Sequence, residues 1–292
     1  MRGIEALSAL LPARPSRHES FLVFSRFRYL RLAALLAALA LALYLADRPY
    51  GSHYGGSAVG YTLGTAGALL IVWLTWFGYR KRRYAEGSRA LVGRLSAHVY
   101  FGLALLVIAT LHTGLHFGWN VHTLAYGLMC VVIASGLFGV FCYVRFPELI
   151  TKNRGGMTMR QMLGSIATLD EQLRVAALPL DEATAAVIER AIETSAIGGS
   201  VLRQLSGRYP DCTTAAALAH FQADGVEVPP ELEDAWRQVH VLLDEKMALL
   251  GRVRRDISYK AMMDLWLYLH VPLTFMLLVA LLAHIFSVFF LW

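Results

Sequence analysis

Apolar residues do not alternate with polar ones over most of this chain. They run on in five long stretches, 29–46, 58–79, 97–118, 123–144 and 263–292. Each is long enough, as an α-helix rising 1.5 Å per residue, to cross or nearly cross a hydrocarbon layer about 30 Å thick. The first could be a signal-peptide core, but it lies late and lacks a short basic leader, so an uncleaved span is expected. Gly60, Gly64 and Gly67 give the second stretch a face for close helix packing.

Between 145 and 262 the pattern changes to helical periodicity. Met159, Met162, Leu163, Ile166 and Leu169 place a stripe along 158–177, and Asp181 is set to cap a helix through Val187, Ile188, Ile192 and Ile197. Thr213 or Thr214 is placed to cap a short helix. Pro229 and Pro230 open a long one through Trp236, Val239, Leu243 and Leu250, which continues past Arg252, Arg254 and Arg255 toward the last span. No strand alternation, repeat, phosphate loop or dinucleotide fingerprint is present in this segment. The expected fold is therefore all-α. It is an integral membrane helical bundle of about five spans with a helical cytoplasmic insert. Its parts are a cytoplasmic N-terminal segment (1–28), four transmembrane helices (29–144), the insert (145–262) and a fifth transmembrane helix (263–292).

Composition supports this division. Hydrophobic residues make up 57% of the 292, charged residues only 16%, and the mean hydropathy is +0.49. A net charge of +6 would suit a nucleic-acid partner. The insert, however, carries sixteen acidic against fourteen basic residues, a balance of −2, so the other segments hold +8 beside the apolar runs. That is the signature of topology determinants facing lipid, with no nucleic acid implied. Basic residues cluster at the N-terminus, at 80–96 and after Val144, whereas the turns 47–57 and 119–122 are nearly without them. The expected topology has the N-terminus and insert cytoplasmic and the C-terminus outside, with a bacterial inner membrane as the setting. Cys130, Cys142 and Cys212 form no C-x-x-C, which argues against zinc ribbons, iron–sulfur clusters and covalently attached haem.

The chemistry lies in four histidines. His98 and His112 are fourteen positions apart in the third stretch, and His270 and His284 are fourteen apart in the fifth. Fourteen residues nearly close four helical turns over roughly 21 Å, so each pair leaves one face of its helix at two depths. With the expected topology the two helices run in the same direction. His98 then shares a cytoplasmic-side depth with His270, and His112 an outer depth with His284. Ionisable residues are costly in a span and point to function. Imidazoles from two helices can fill both axial positions of a haem iron. This predicts two non-covalent b-type haems and an electron path across the bilayer. The competing reading is of histidines that hydrogen-bond between helices with no redox role.

The two H-x13-H stretches resemble those of the ferric reductase and NADPH oxidase transmembrane domain, over roughly residues 58–144 and 263–292. The resemblance implies that His98, His112, His270 and His284 are the ligands of two b haems within a helical bundle. This chain differs in carrying about 118 residues before the last His-bearing span, and in ending where ferric reductases continue into flavin and nicotinamide domains.

His116 and His122 are additional. With Trp119 and His53 they are candidates to frame an outer-side site for a quinone, a metal ion or an acceptor protein, or simply to form an interfacial polar rim. Pro272 is expected to loosen its helix and aim His270, and Gly102 to leave room beside His98. Three functions follow. The favoured one is a dihaem cytochrome subunit between a cytoplasmic or membrane redox partner and an outer-side acceptor or donor. The second is a self-contained quinol-linked or metal-reducing oxidoreductase. The third is a non-redox membrane protein. The insert is expected to be either a structural cap or a docking platform for the redox partner.

Overall fold

The computed structural model describes residues 21–47, 55–81, 89–223 and 228–290. His53, the basic pair Arg82 and Arg83, and most of the N-terminal segment lie outside them. The described residues form helices joined by turns and loops, without strands. In chain order they form α1 (Phe24–Ala46), α2 (Ala58–Lys81), α3 (Arg89–Thr113), α4 (Val121–Arg154), α5 (Met159–Ala177), α6 (Glu182–Glu193), α7 (Val201–Ser206), α8 (Thr213–Phe221) and α9 (Glu233–Phe290), with a 3₁₀ turn at Pro230–Leu232. Five of these, α1 to α4 and α9, contain stretches long and apolar enough to cross a membrane. The protein is an all-α integral membrane protein.

The chain divides into two compact units, one formed by Met1–Leu137 with His270–Trp292, the other by Phe138–Leu269. The second extends seven residues further at each end than the insert expected from the sequence.

In the membrane unit, Ile71 and Leu74 of α2, Leu105 of α3, Met129 of α4, and Leu277 and Leu281 of α9 share one core. Ala33 of α1 packs with Tyr100 and Ala104 of α3, and Ala40 of α1 with Leu63 and Ile108. Ala33, Ala40 and Ala104 are buried as well, whereas Leu35, Leu69, Leu282 and Phe289 are each about two-thirds exposed. A water-soluble bundle would bury those side chains; in a bilayer they meet acyl chains. The glycine face of α2 meets α3, with Gly64 against His112 and Gly67 against Leu105.

Three boundaries differ from the sequence reading. The third span runs over Leu91–Thr113, displaced toward the N-terminus from the expected 97–118. It starts early because Leu91, Val92 and Leu95 continue the apolar pattern and Gly93 leaves room for the Phe24 ring. It stops early because Gly114 and Leu115 take left-handed φ of 56° and 62°, with the Gly114 amide donating to Leu111 O. The second difference is that α4 continues through Pro147 to Arg154 instead of ending near Val144. Proline removes a backbone donor, yet Phe146 is buried and stacks on Tyr259, and Arg154 makes a two-pronged hydrogen bond to Asp256 at 2.6 and 3.0 Å. The third is that Cys212, not a threonine, occupies the N-cap of α8.

The soluble unit has its own core in two clusters. One joins Leu173, Leu180, Ile188, Ala217, Val239 and Leu243; the other joins Met162, Ile166, Leu249, Leu250 and Val253. Lys246 of α9 is fully buried between them, with Nζ 2.6 Å from Asp170 of α5 and donating at 2.7 Å to Ala191 O near the end of α6. Thr158 and Gln161 form a capping box at the start of α5. Asp181 caps α6 by accepting from the Thr184 amide at 3.1 Å and the Thr184 hydroxyl at 2.6 Å.

The Thr184 hydroxyl and amide hold the Asp181 carboxyl below its ordinary value of 3.8. A depressed folded value means that the cap's contribution is fully present above the unfolded value and lost as pH falls through the folded one. Amide exchange protection in α6 should therefore be flat down to about pH 4 and fall below it. Asp181→Ala should lower that protection at neutral pH and abolish the acid step; an unchanged acid step would assign the step to another group.

Candidate functional site

Both His98 and His112 are on α3, and both His270 and His284 are on α9, so the two spacings of fourteen are realised within single continuous helices. The structure brings His112 and His284 together. The rings of His112 and His284 have centroids 6.0 Å apart and planes at 89°. Two imidazole nitrogens bound about 2 Å from one iron lie about 4 Å apart, which puts the ring centres about 6 Å apart. The observed separation is of that order.

His112 is fixed from α2. Its Nδ1 is 2.8 Å from Gly60 O, and a carbonyl only accepts, so the proton is on Nδ1. In the neutral ring the lone pair is then on Nε2. The ring approaches so closely because Gly64 has no side chain: a Cβ there would be 2.7 Å from His112 Cε1. Ser57 caps α2 by accepting from the Gly60 amide at 2.9 Å, which holds the carbonyl-bearing first turn in place.

His270 is fixed from α4. Ser135 Oγ donates to Val132 O at 2.7 Å and lies 2.7 Å from His270 Nδ1. With its one proton committed, the hydroxyl accepts from Nδ1–H, and the lone pair of this neutral ring is again on Nε2. Pro272 lies two residues on, within the helix, and Thr274 Oγ1 donates to His270 O at 2.8 Å. His98 is half-buried on α3, next to the buried Ser96 and Ala97. A Cβ added to Gly102, one turn further, would meet nothing within 4 Å, so there is open space beside that turn.

His122 enters the site and His116 does not. His122 is the second residue of α4, and its Nδ1 lies 2.5 Å from His284 Nδ1, with ring centroids 4.5 Å apart. His116 was expected inside the third span. Because α3 ends at Thr113, it lies instead in the following turn, exposed, with Nδ1 2.8 Å from Gly114 O. Trp119 in the same turn is fully exposed. Among the described residues, no three His, Cys, Asp or Glu side chains are grouped to hold one metal ion. Histidines 112, 122 and 284 are thus a chain of contacts, not a three-ligand chelate.

The chain matches no known family model, no curated protein and no solved structure. The histidines fit a haem in two respects: His112 and His284 bring two imidazole donors together, and three of the four candidates have Nδ1 engaged by a partner on another helix. The partnership of His284 with His122 was not legible in the sequence, because 162 positions separate the two residues and no local pattern links them.

Proposed function

We propose that this chain is a membrane b-type cytochrome in which two non-covalent haems are held by His98 with His270 and by His112 with His284. The observation that supports this most is the state of the Nδ1 atoms. In His112, His270 and His284 that atom is held by Gly60 O, Ser135 Oγ and His122 Nδ1 respectively. A metal-bound imidazole uses one nitrogen for the metal and the other for a hydrogen bond that fixes its tautomer and orientation. Histidines that serve only as polar links between helices need no common choice of nitrogen. When bound, bis-imidazole haems supply one-electron exchange without an open coordination position. The chain's own residues orient the ligands, and the apolar bundle excludes water from them.

On this reading the chain is an electron-transfer subunit within lipid, with the N-terminus and the 145–262 segment on the cytoplasmic side. A cytoplasmic or membrane redox partner meets the His98 and His270 end. An outer-side acceptor or donor, with a quinone as one candidate, meets the other.

The test is stoichiometry. The full chain, purified in detergent, is expected to give two haems per polypeptide in a pyridine haemochrome assay, both extractable by acid acetone. One haem or none would sink the reading. A second reading has one specific observation in its favour: the bond between His122 and His284 ties α4 to α9 without any metal. In a non-redox protein that bond would be a packing link, and a reduced-minus-oxidised spectrum without haem bands would select it.

A further inference from the structure

We propose that His122 is a positioning residue for the outer axial ligand, accepting the Nδ1–H of His284 and so lowering the reduction potential of the iron that His284 binds. This rests on the haem reading above and extends it to a residue outside the ligand set. The partners of the three fixed histidines differ in chemistry. His112 donates to a backbone carbonyl and His270 to a hydroxyl oxygen, both weak bases. His284 faces an imidazole nitrogen at 2.5 Å, a far better proton acceptor. If His284 binds iron through Nε2, its Nδ1 carries the proton and donates it to His122 Nδ1, and the proton of neutral His122 is then on Nε2. A strong acceptor on Nδ1–H gives the axial ring partial imidazolate character and raises its basicity toward the metal. Ferric iron, with the greater charge, gains more from that than ferrous iron, so the potential falls.

The geometry at His122 is built, not incidental. α3 and α4 are joined by a turn short enough to place His112 at the end of one helix and His122 at the start of the next. Asn120 caps α4, with Oδ1 accepting from the Thr123 amide at 2.9 Å, and the Thr123 hydroxyl accepts from the Gly118 amide at 3.1 Å. Lower down, Thr110 Oγ1 and Tyr126 Oη are 2.9 Å apart and link the same two helices. The first turn of α4 is thereby held where the His122 ring meets His284 at 89°.

The experiment is a redox titration of the full-length protein in detergent, as wild type, His122→Phe and His122→Gln, with haem content and low-temperature EPR of the ferric form. Phe keeps a ring but has no acceptor; Gln restores a carbonyl acceptor. The expected result is two haems in each, with one midpoint shifted positive in the Phe variant. The ferrous-to-ferric ratio of that haem, read at its wild-type midpoint, should rise about tenfold, about 59 mV for a one-electron couple. Its EPR signal should change as well, the other haem should be unaffected, and Gln should recover part of both effects. A Phe variant with both midpoints in place would overturn the proposal while leaving the haem reading intact. So would the loss of one haem in His122→Phe and His122→Gln alike, since His122 would then be the ligand. Wild-type protein without haem would defeat the haem reading, and this inference with it.

Discussion

His112→Ala and His284→Ala are each expected to leave one haem where the wild type has two, and the remaining haem is the same in both variants. The reason is geometric. The two rings approach each other from α3 and α9 at 6.0 Å, and no other histidine is set to replace either from its own helix. His116, the nearest in sequence to His112, is beyond the end of α3, exposed and turned back on Gly114 O. His116→Ala should therefore retain both haems. His98→Ala and His270→Ala should remove the other haem and spare this one. Gly64→Val offers an independent route to the same loss. Its Cβ would be 2.7 Å from His112 Cε1 and 2.9 Å from Nδ1, so the ring must leave its bond to Gly60 O. The measurements are haem per chain and the number of waves in a redox titration. Loss of a haem in His116→Ala, with retention in His112→Ala, would reverse the ligand assignment. Loss of both haems in every variant would mean that the rings build the bundle and do not select a haem each.

The second large effect concerns stability, and it should be asymmetric. Asp170→Ala is expected to destabilise the soluble unit by about 3–5 kcal/mol, the cost of stranding a buried charge. Lys246 has no exposed surface, and after the substitution its ammonium group would retain only Ala191 O as a described partner. Lys246→Met should cost less. It removes the charge from the fully buried site and leaves the one on Asp170, whose side chain is 18% exposed and can recruit water. Met also preserves most of the lysine side chain's volume at this fully buried position. The double replacement Asp170→Leu with Lys246→Met should lie closer to wild type than Asp170→Ala does, since an apolar pair of similar volume needs no desolvated partner. Denaturant unfolding followed by the fluorescence of Trp236, which packs on one core cluster of this unit, gives the comparison. Equal losses from Asp170→Ala and Lys246→Met would show that the packing, not the stranded charge, sets the cost.

The spans, the helical character of the insert and the cap at Asp181 were all legible in the sequence because their causes are local. A helix that meets lipid must be apolar all round over a fixed length, and this pattern survives without knowledge of its neighbours. A cap needs only a side chain and an amide three residues on. The pairing of His112 with His284 was expected from equal spacing on two helices, and the structure brings those rings together. Other features depend on contacts between distant parts of the chain. Helix α4 continues through Pro147 because Tyr259 and Asp256 of α9 receive Phe146 and Arg154, more than a hundred residues away. The register of the third span depends on Phe24 filling the space at Gly93 and on the left-handed turn at Gly114 and Leu115. Glycine in an apolar run does not by itself announce which glycine ends the helix. The place of His122 depends on that turn, since ending α3 at Thr113 excludes His116 from the site and starts α4 where His122 reaches His284. Periodicity thus determined which residues are helical and which faces are apolar. Which imidazole nitrogen meets which partner was decided only by the packing of α2, α3, α4 and α9, because a hydrogen bond is fixed by tenths of an ångström and the pattern along one helix leaves that distance open.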